Sequence, residues 1–316
     1  MIHGVDRREF LTAAVAAGVV AATAKWSIAR AIRANEPFKI SLAQWSLHRA
    51  FGRRGTATLD PLNFAKIAHT EYGIDAVEYV NQFYAAKKKD DGYLKQLKAV
   101  ADDSGVRSVL IMCDGEGALG DADTAKRATA VDNHKRWVEW AKFLGCHSIR
   151  VNAQSAGTYD EQIERAADGL RKLTEFGKTM AIGVIVENHG GLSSNGEWLA
   201  KTIKAVGLPE CGTLPDFGNF NVGKNPHGVG EVYDRYKGVG EMMPFAKGVS
   251  AKSHDFDDKG EETHTDYRKM MDIVVKKHKY SGFVGIEYEG QKMTEPEGIR
   301  ATLKLLEAIR VEMAKA

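Results

Sequence analysis

A single period governs this chain. Short apolar runs end near Trp45, Val80, Met112, Asn152, Glu187, Asp216, His254 and Tyr288. One run therefore recurs roughly every 30 to 40 residues, eight times over, which is the length of a strand–helix unit. The runs cover residues 39–45, 76–80, 107–112, 148–152, 183–187, 212–215, 248–253 and 283–288. Stretches with apolar residues three and four apart separate them, at 59–72, 93–104, 124–144, 159–176, 196–206, 266–278 and 295–314. That spacing marks amphipathic helices lying on a sheet. Gly73, Gly105, Gly145 and Gly207 stand where such helices would end. Eight strand–helix units of α/β type close into a (β/α)8 TIM barrel. An open doubly wound sheet would carry a Gly-rich phosphate loop after its first strand, whereas Ser46-Leu47-His48-Arg49 follows Trp45. The Gly-rich stretch 219–244 reads as a mobile loop at the barrel mouth.

The 316 residues hold one barrel of about 250 residues plus an N-terminal extra. A net charge of +2, with Lys and Arg spread along the chain, gives no footprint for nucleic acid. Cys113, Cys146 and Cys211 are isolated, which excludes a disulfide framework or a structural zinc knot and makes them buried apolar residues. Residues 1–31 read as an export signal. Arg7-Arg8 precede Phe10-Leu11, an Ala/Val-rich run follows from Thr12 to Ala24, and Ala29-Arg30-Ala31 fits a cleavage site. The run is too short to span a bilayer. The expected organisation is a twin-arginine signal at 1–31 and a barrel domain at 36–316. Delivery is to the periplasm, with contact to the membrane only through the export machinery or an uncleaved signal.

The ends of the last four strands carry the chemistry. Glu187-Asn188-His189-Gly190, Asp216-Phe217-Gly218-Asn219, His254-Asp255 and Glu287-Tyr288-Glu289 each follow an apolar run. In a barrel, C-terminal strand ends converge on one site. Glu187, Asp216, His254 and Glu287 together offer three oxygen ligands and one nitrogen. That set suits one divalent ion, Mn²⁺ first, with Mg²⁺, Co²⁺ or Zn²⁺ as alternatives. Glu289 shares the face of Glu287 by the two-residue period of a strand and competes with it as ligand.

Through these four motifs the chain resembles the xylose isomerase-like TIM barrels, a group of sugar isomerases, 3-epimerases, inosose dehydratases and endonuclease IV enzymes. The resemblance spans roughly residues 36–314. It implies Glu187, Asp216, His254 and Glu287 as metal ligands, with the two glutamates as the acid/base pair. It also implies a small-molecule sugar substrate. A cation on the carbonyl oxygen would stabilise an enediolate while one carboxylate removes a proton and the other returns it.

Other strand-end residues are candidates for substrate contact: His189, Lys252, Asn152, Asn219, Glu289 and Trp45. Each has a plainer reading, such as Lys252 pairing with Asp255 or Asp257. Trp45, His48 and Phe51 could form an aromatic lip or pack on the first helix, and so could Tyr79, Phe83 and Tyr84. Glu78 could face the site or the barrel interior, where it would need a partner. Endonuclease IV chemistry is disfavoured, because Glu78, Tyr79 and Asn81 stand where histidines would be needed. Two alternatives to isomerase or epimerase remain. One is an exported 3-keto-glycoside lyase, hydrolase or dehydratase on the same site, and the other is a non-catalytic sugar-binding barrel. Association into a homo-oligomer is left open.

Overall fold

The computed structural model describes residues 36–53, 55–224 and 230–315; the export segment read at residues 1–31 lies outside them. Eight parallel strands form the wall: β1 (Lys39–Ala43), β2 (Ala76–Val80), β3 (Arg107–Met112), β4 (Ser148–Val151), β5 (Gly183–Glu187), β6 (Cys211–Leu214), β9 (Val249–Ser253) and β10 (Phe283–Tyr288). Their order around the wall is β6-β5-β4-β3-β2-β1-β10-β9. Two isolated bridges, Thr213 to Ala246 and Asp216 to Ser250, close β6 onto β9. The Ser250 N–H donates to the Pro215 carbonyl at 2.9 Å, and the Phe217 N–H to that of Ser250 at 3.1 Å. The barrel read from the period is thus present, nearly closed.

The helices are α1 (Phe64–Tyr72), α2 (Asp91–Asp103), α3 (Thr124–Leu144), α4 (Tyr159–Thr179), α5 (Gly196–Val206), α6 (Arg235–Met242), α7 (Tyr267–Met271) and α8 (Glu295–Ala314). Polar caps start them where free N–H groups need acceptors. Thr158 with Glu161, and Thr294 with Glu297, form capping boxes on α4 and α8. Gly73, Gly145 and Gly207 end α1, α3 and α5 in the left-handed conformation expected of them. A π-helical turn, Asp272–Lys277, continues α7 through the stretch read as one helix.

Two expectations need correction. The stretch 219–244 is not simply a loop: it holds the antiparallel arms β7 (Asn221–Lys224) and β8 (Gly230–Val232), then helix α6. Glycines hid that helix. Gly196 of α5 lies so close to Gly238 of α6 that a Cβ on Gly196 would sit 2.6 Å from the Gly238 Cα. The helix is therefore built with a residue that lowers helix propensity. The first strand also stops early, at Ala43, because Gln44–Leu47 turn into a 3₁₀ segment that carries Trp45.

Apolar side chains fill two spaces. A large cluster lies between the wall and the helices, with Trp137, Trp140, Trp198 and Tyr267 fully buried. A small cluster that includes Leu110, Met112, Ile185 and Leu214 comes from alternate positions of β3, β5 and β6. These alternate residues face the barrel interior. The next inward positions toward the C-terminal strand ends are charged: Arg150, Glu187, Asp216, Lys252 and Glu287.

Candidate active site

Glu187 ends β5, Asp216 follows β6, and Glu287 lies in β10. All three are buried, and one carboxylate oxygen from each lies within 4.8 Å of the others. Barrel closure makes this meeting possible, because the Asp216–Ser250 bridge brings β6 against β9 and β9 pairs with β10. The Ser250 hydroxyl lies 2.7 Å from Asp216 Oδ2 and 3.3 Å from Glu287 Oε2. Asp216 Oδ1 accepts the N–H groups of Gly218 and Asn219, both at 2.8 Å. Asn188 fixes this turn through its side chain, accepting from the Asp216 N–H at 2.7 Å and donating to the Asp216 carbonyl at 3.0 Å.

Two internal cations face the carboxylates. Arg150 Nε lies 2.7 Å from Glu187 Oε2, without the alignment of a hydrogen bond, and Arg150 Nη1 donates to Asp114 at 2.8 Å. Lys252 Nζ lies 2.9 Å from both Glu287 Oε1 and Glu289 Oε2. Register explains that contact, since Lys252 pairs with Glu287 across β9 and β10. Burial pushes Glu187 well above the usual carboxylate range, against the pull of Arg150 and with Glu287 and Asp216 adding to the rise. Glu287 is raised for the same reason, against Lys252. Burial also opposes the charge on Glu289, yet Lys252 and the Trp45 indole N–H hold it down to about 2.

The sequence-read residues divide as follows. Glu187, Asp216 and Glu287 meet. Asn219 joins them, with Nδ2 donating to Glu187 Oε1 at 2.9 Å. Lys252 pairs with Glu287 and Glu289, not with Asp255 or Asp257. Glu289 is set outward of Glu287, bound to Lys252 and Trp45. Asn152 donates to Asp114 at 2.7 Å, and His189 is exposed at the rim. His254 is not grouped with the three carboxylates. It stands with Glu262 and His264, its ring stacked on that of His264 at 4.7 Å. The physical reason is register. In β9 the inward positions are Ser250 and Lys252, and Ser250 is the one level with Asp216, while His254 follows the strand's end.

Trp45 is half-buried at the mouth, stacked on His48. Tyr79 and Tyr84 are core residues and not a lip. Arg150, Asp114 and Ser250 escaped the sequence reading. The alternation of Arg150 with Asn152, and of Ser250 with Lys252, was the signal that could have found two of them.

Glu78 is different. It is 1 % exposed, accepts the Ser41 hydroxyl at 2.6 Å through Oε1, and leaves Oε2 without a hydrogen-bond partner. Burial lifts it from the ordinary 4.5 to about 7. Gly285 makes room for it, since a Cβ there would lie 2.6 Å from Glu78 Oε1.

The carboxylate donors fit a hard divalent cation. Three buried carboxylates this close repel one another, and Arg150 and Lys252 are already shared with Asp114 and Glu289. The expected nitrogen ligand is not in the cluster, so the fit is to an oxygen-only set.

A family model described as the xylose isomerase-like TIM barrel matches residues 65–309. No curated protein sequence matches the chain. Solved structures share the fold. The 3-keto-D-glucoside 4-epimerase from E. coli is 15 % identical over 86 % of this chain and 99 % of its own, with a TM-score of 0.65. A D-tagatose 3-epimerase-like protein is 17 % identical over 88 % and 98 %, with a TM-score of 0.65. A xylose isomerase-like TIM barrel protein from Mycobacterium smegmatis, in complex with magnesium, is 17 % identical over 88 % and 98 %, with a TM-score of 0.63.

Proposed function

The chain belongs to the xylose isomerase-like TIM barrel family, and on that premise we propose that it is a sugar isomerase or epimerase. It would hold one divalent cation, Mn²⁺ or Mg²⁺, on Glu187, Asp216 and Glu287. The meeting of these three buried carboxylates at barrel strand ends is the observation that carries the reading. The magnesium-bound relative supports it. A bound cation would polarise the sugar carbonyl and its neighbouring hydroxyl.

The protein's own groups move the proton. Glu287 takes it from the carbon beside the carbonyl, because the Lys252 ammonium at 2.9 Å stabilises the carboxylate form. Glu187, the other glutamate of the cluster, is the group that returns it. Asn219 orients Glu187 through its 2.9 Å hydrogen bond, and the Asp216 turn is held by Asn188. Lys252 and Trp45 fix Glu289 at the rim, where it can accept a substrate hydroxyl.

A keto-glycoside lyase is the second reading, and a specific feature favours it. A cleft of about 550 Å³ adjoins the chamber, lined among others by Phe51, Arg53, Asn81, Phe83, Asp114 and Glu116. Polar groups and aromatic faces at that size suit a second sugar ring. The similar epimerase acts on a 3-keto-glucoside. In that reading the proton leaves C2, the C1–O bond breaks, and the departing alcohol takes a proton.

Proton NMR in D₂O with metal-loaded enzyme separates the readings on a panel of ketoses, aldoses and 3-keto-glycosides. Deuterium beside the carbonyl with a new epimer or isomer supports the first. Release of the C1 substituent supports the second. Tight binding with neither leaves a sugar-binding barrel. Periplasmic export belongs to the same proposal, and Arg7→Lys with Arg8→Lys should retain the protein in the cytoplasm.

A further inference from the structure

We propose that His254, Glu262 and His264 form a second metal site, for a transition-metal ion of the zinc class, separate from the acidic triad. The chain after β9 folds back on itself. The Asp257 N–H donates to the Glu261 carbonyl at 3.0 Å, and the Thr263 N–H to that of Asp255 at 2.9 Å. The returning limb lays the His264 ring on the His254 ring at 4.7 Å, 26° from parallel. One donor atom from each of the three residues lies within 4.8 Å of the others.

Glu262 is buried and already aimed. Its Oε1 accepts the His254 N–H at 3.1 Å, and its Oε2 accepts the His264 N–H at 2.7 Å. Oε2 also accepts the Thr265 N–H, so backbone donors fill its two lone pairs, while Oε1 accepts a single N–H and keeps one lone pair for a metal. Both histidines join this arrangement through their backbone N–H, which leaves the rings out of it. Among the described residues neither ring nitrogen of His254 or His264 has a hydrogen-bond partner.

Two imidazoles and one carboxylate make a three-ligand set that leaves a fourth position open on zinc. Bonds of about 2.0–2.1 Å would draw the donors to roughly 3.3 Å apart, a shift of about 1 Å for an exposed limb. Nitrogen donors select a different ion from the oxygen-only triad, so the two sites would sort metals by hardness. The second site adjoins the chamber. A Cβ on Gly218 would lie 2.8 Å from Lys252 Cδ and 3.4 Å from His254 Cε1. A substrate oxygen entering past Lys252 could complete the coordination.

The test is equilibrium dialysis of the full chain against Zn²⁺ with metal counting, and the visible spectrum with Co²⁺. His264→Ala, His254→Gln and the double variant Glu187→Gln/Asp216→Asn are compared with the wild type. The expected result is that each histidine variant loses one Zn²⁺ and the visible Co²⁺ bands, while the double variant keeps both. Unchanged Zn²⁺ stoichiometry in both histidine variants, or loss of the Co²⁺ bands in the double variant alone, would overturn the proposal. Thermal unfolding of the metal-free variants checks that the fold is intact. Should His264→Ala unfold, His254→Gln carries the same comparison.

Discussion

Glu78 and Glu187 are both buried and inward-facing, one in the middle of β2 and the other at the end of β5, and they have different partners. Glu78 has one hydroxyl donor, one oxygen without a partner and a glycine against it. Among the described residues no cation contacts it, and burial raises it to about 7. Glu187 has Arg150 at 2.7 Å, Asn219 at 2.9 Å, and Asp216 and Glu287 within 4.8 Å. Glu78 is thus a lone buried carboxylate, whereas Glu187 belongs to a cluster of carboxylates faced by Arg150 and Lys252.

The largest expected effects fall on the clustered side. Glu187→Gln or Glu287→Gln should each lower turnover by about 10²- to 10⁴-fold, the usual worth of a general acid or base. Rates on the best substrate of the sugar panel measure this, and near-normal turnover in both variants would remove the acid/base assignment. Lys252→Met comes next. It strips the cation from Glu287 and Glu289, and breaking a buried pair on one side costs about 3–5 kcal/mol. Urea unfolding should show that loss in metal-free protein, and added Mn²⁺ should restore part of it if a cation and Lys252 share the same carboxylates.

Glu78→Gln gives the contrasting result. The folded-state value of Glu78 is above the unfolded one, so its contribution is fully present below about pH 4.5 and is lost as pH rises through about 7. The wild type should thus lose about 3 kcal/mol relative to Glu78→Gln between pH 4.5 and pH 8. Unfolding free energies of both proteins across that range measure it, and parallel pH curves would contradict the assignment. The smallest effect is expected from Ser250→Ala. It removes one hydroxyl donor from Asp216 and should cost about 1–2 kcal/mol in stability.

The barrel was legible because two periods alternate cleanly, two residues in strands and three to four in helices. Segments 124–144, 196–206 and 295–314 fall where α3, α5 and α8 are. The meeting of Glu187, Asp216 and Glu287 was legible because barrel closure gathers strand ends, which needs no side-chain detail. What stayed hidden depends on register. Whether Ser250 or His254 is level with Asp216 follows from how β6 meets β9, and that meeting is two bridges long. Lys252 found its partners through pairing with β10, at Glu287 directly and at Glu289 one pleat further on. Arg150 passed unnoticed because an arginine inside a barrel makes sense only once Asp114 and Glu187 are seen on either side of it.

The most direct test of the account is anomalous diffraction from crystals grown with Mn²⁺. The account predicts a peak bounded by Glu187, Asp216 and Glu287, with Lys252 still paired to Glu289. No peak between these three carboxylates, with Arg150 and Lys252 as their only counter-charges, would contradict it.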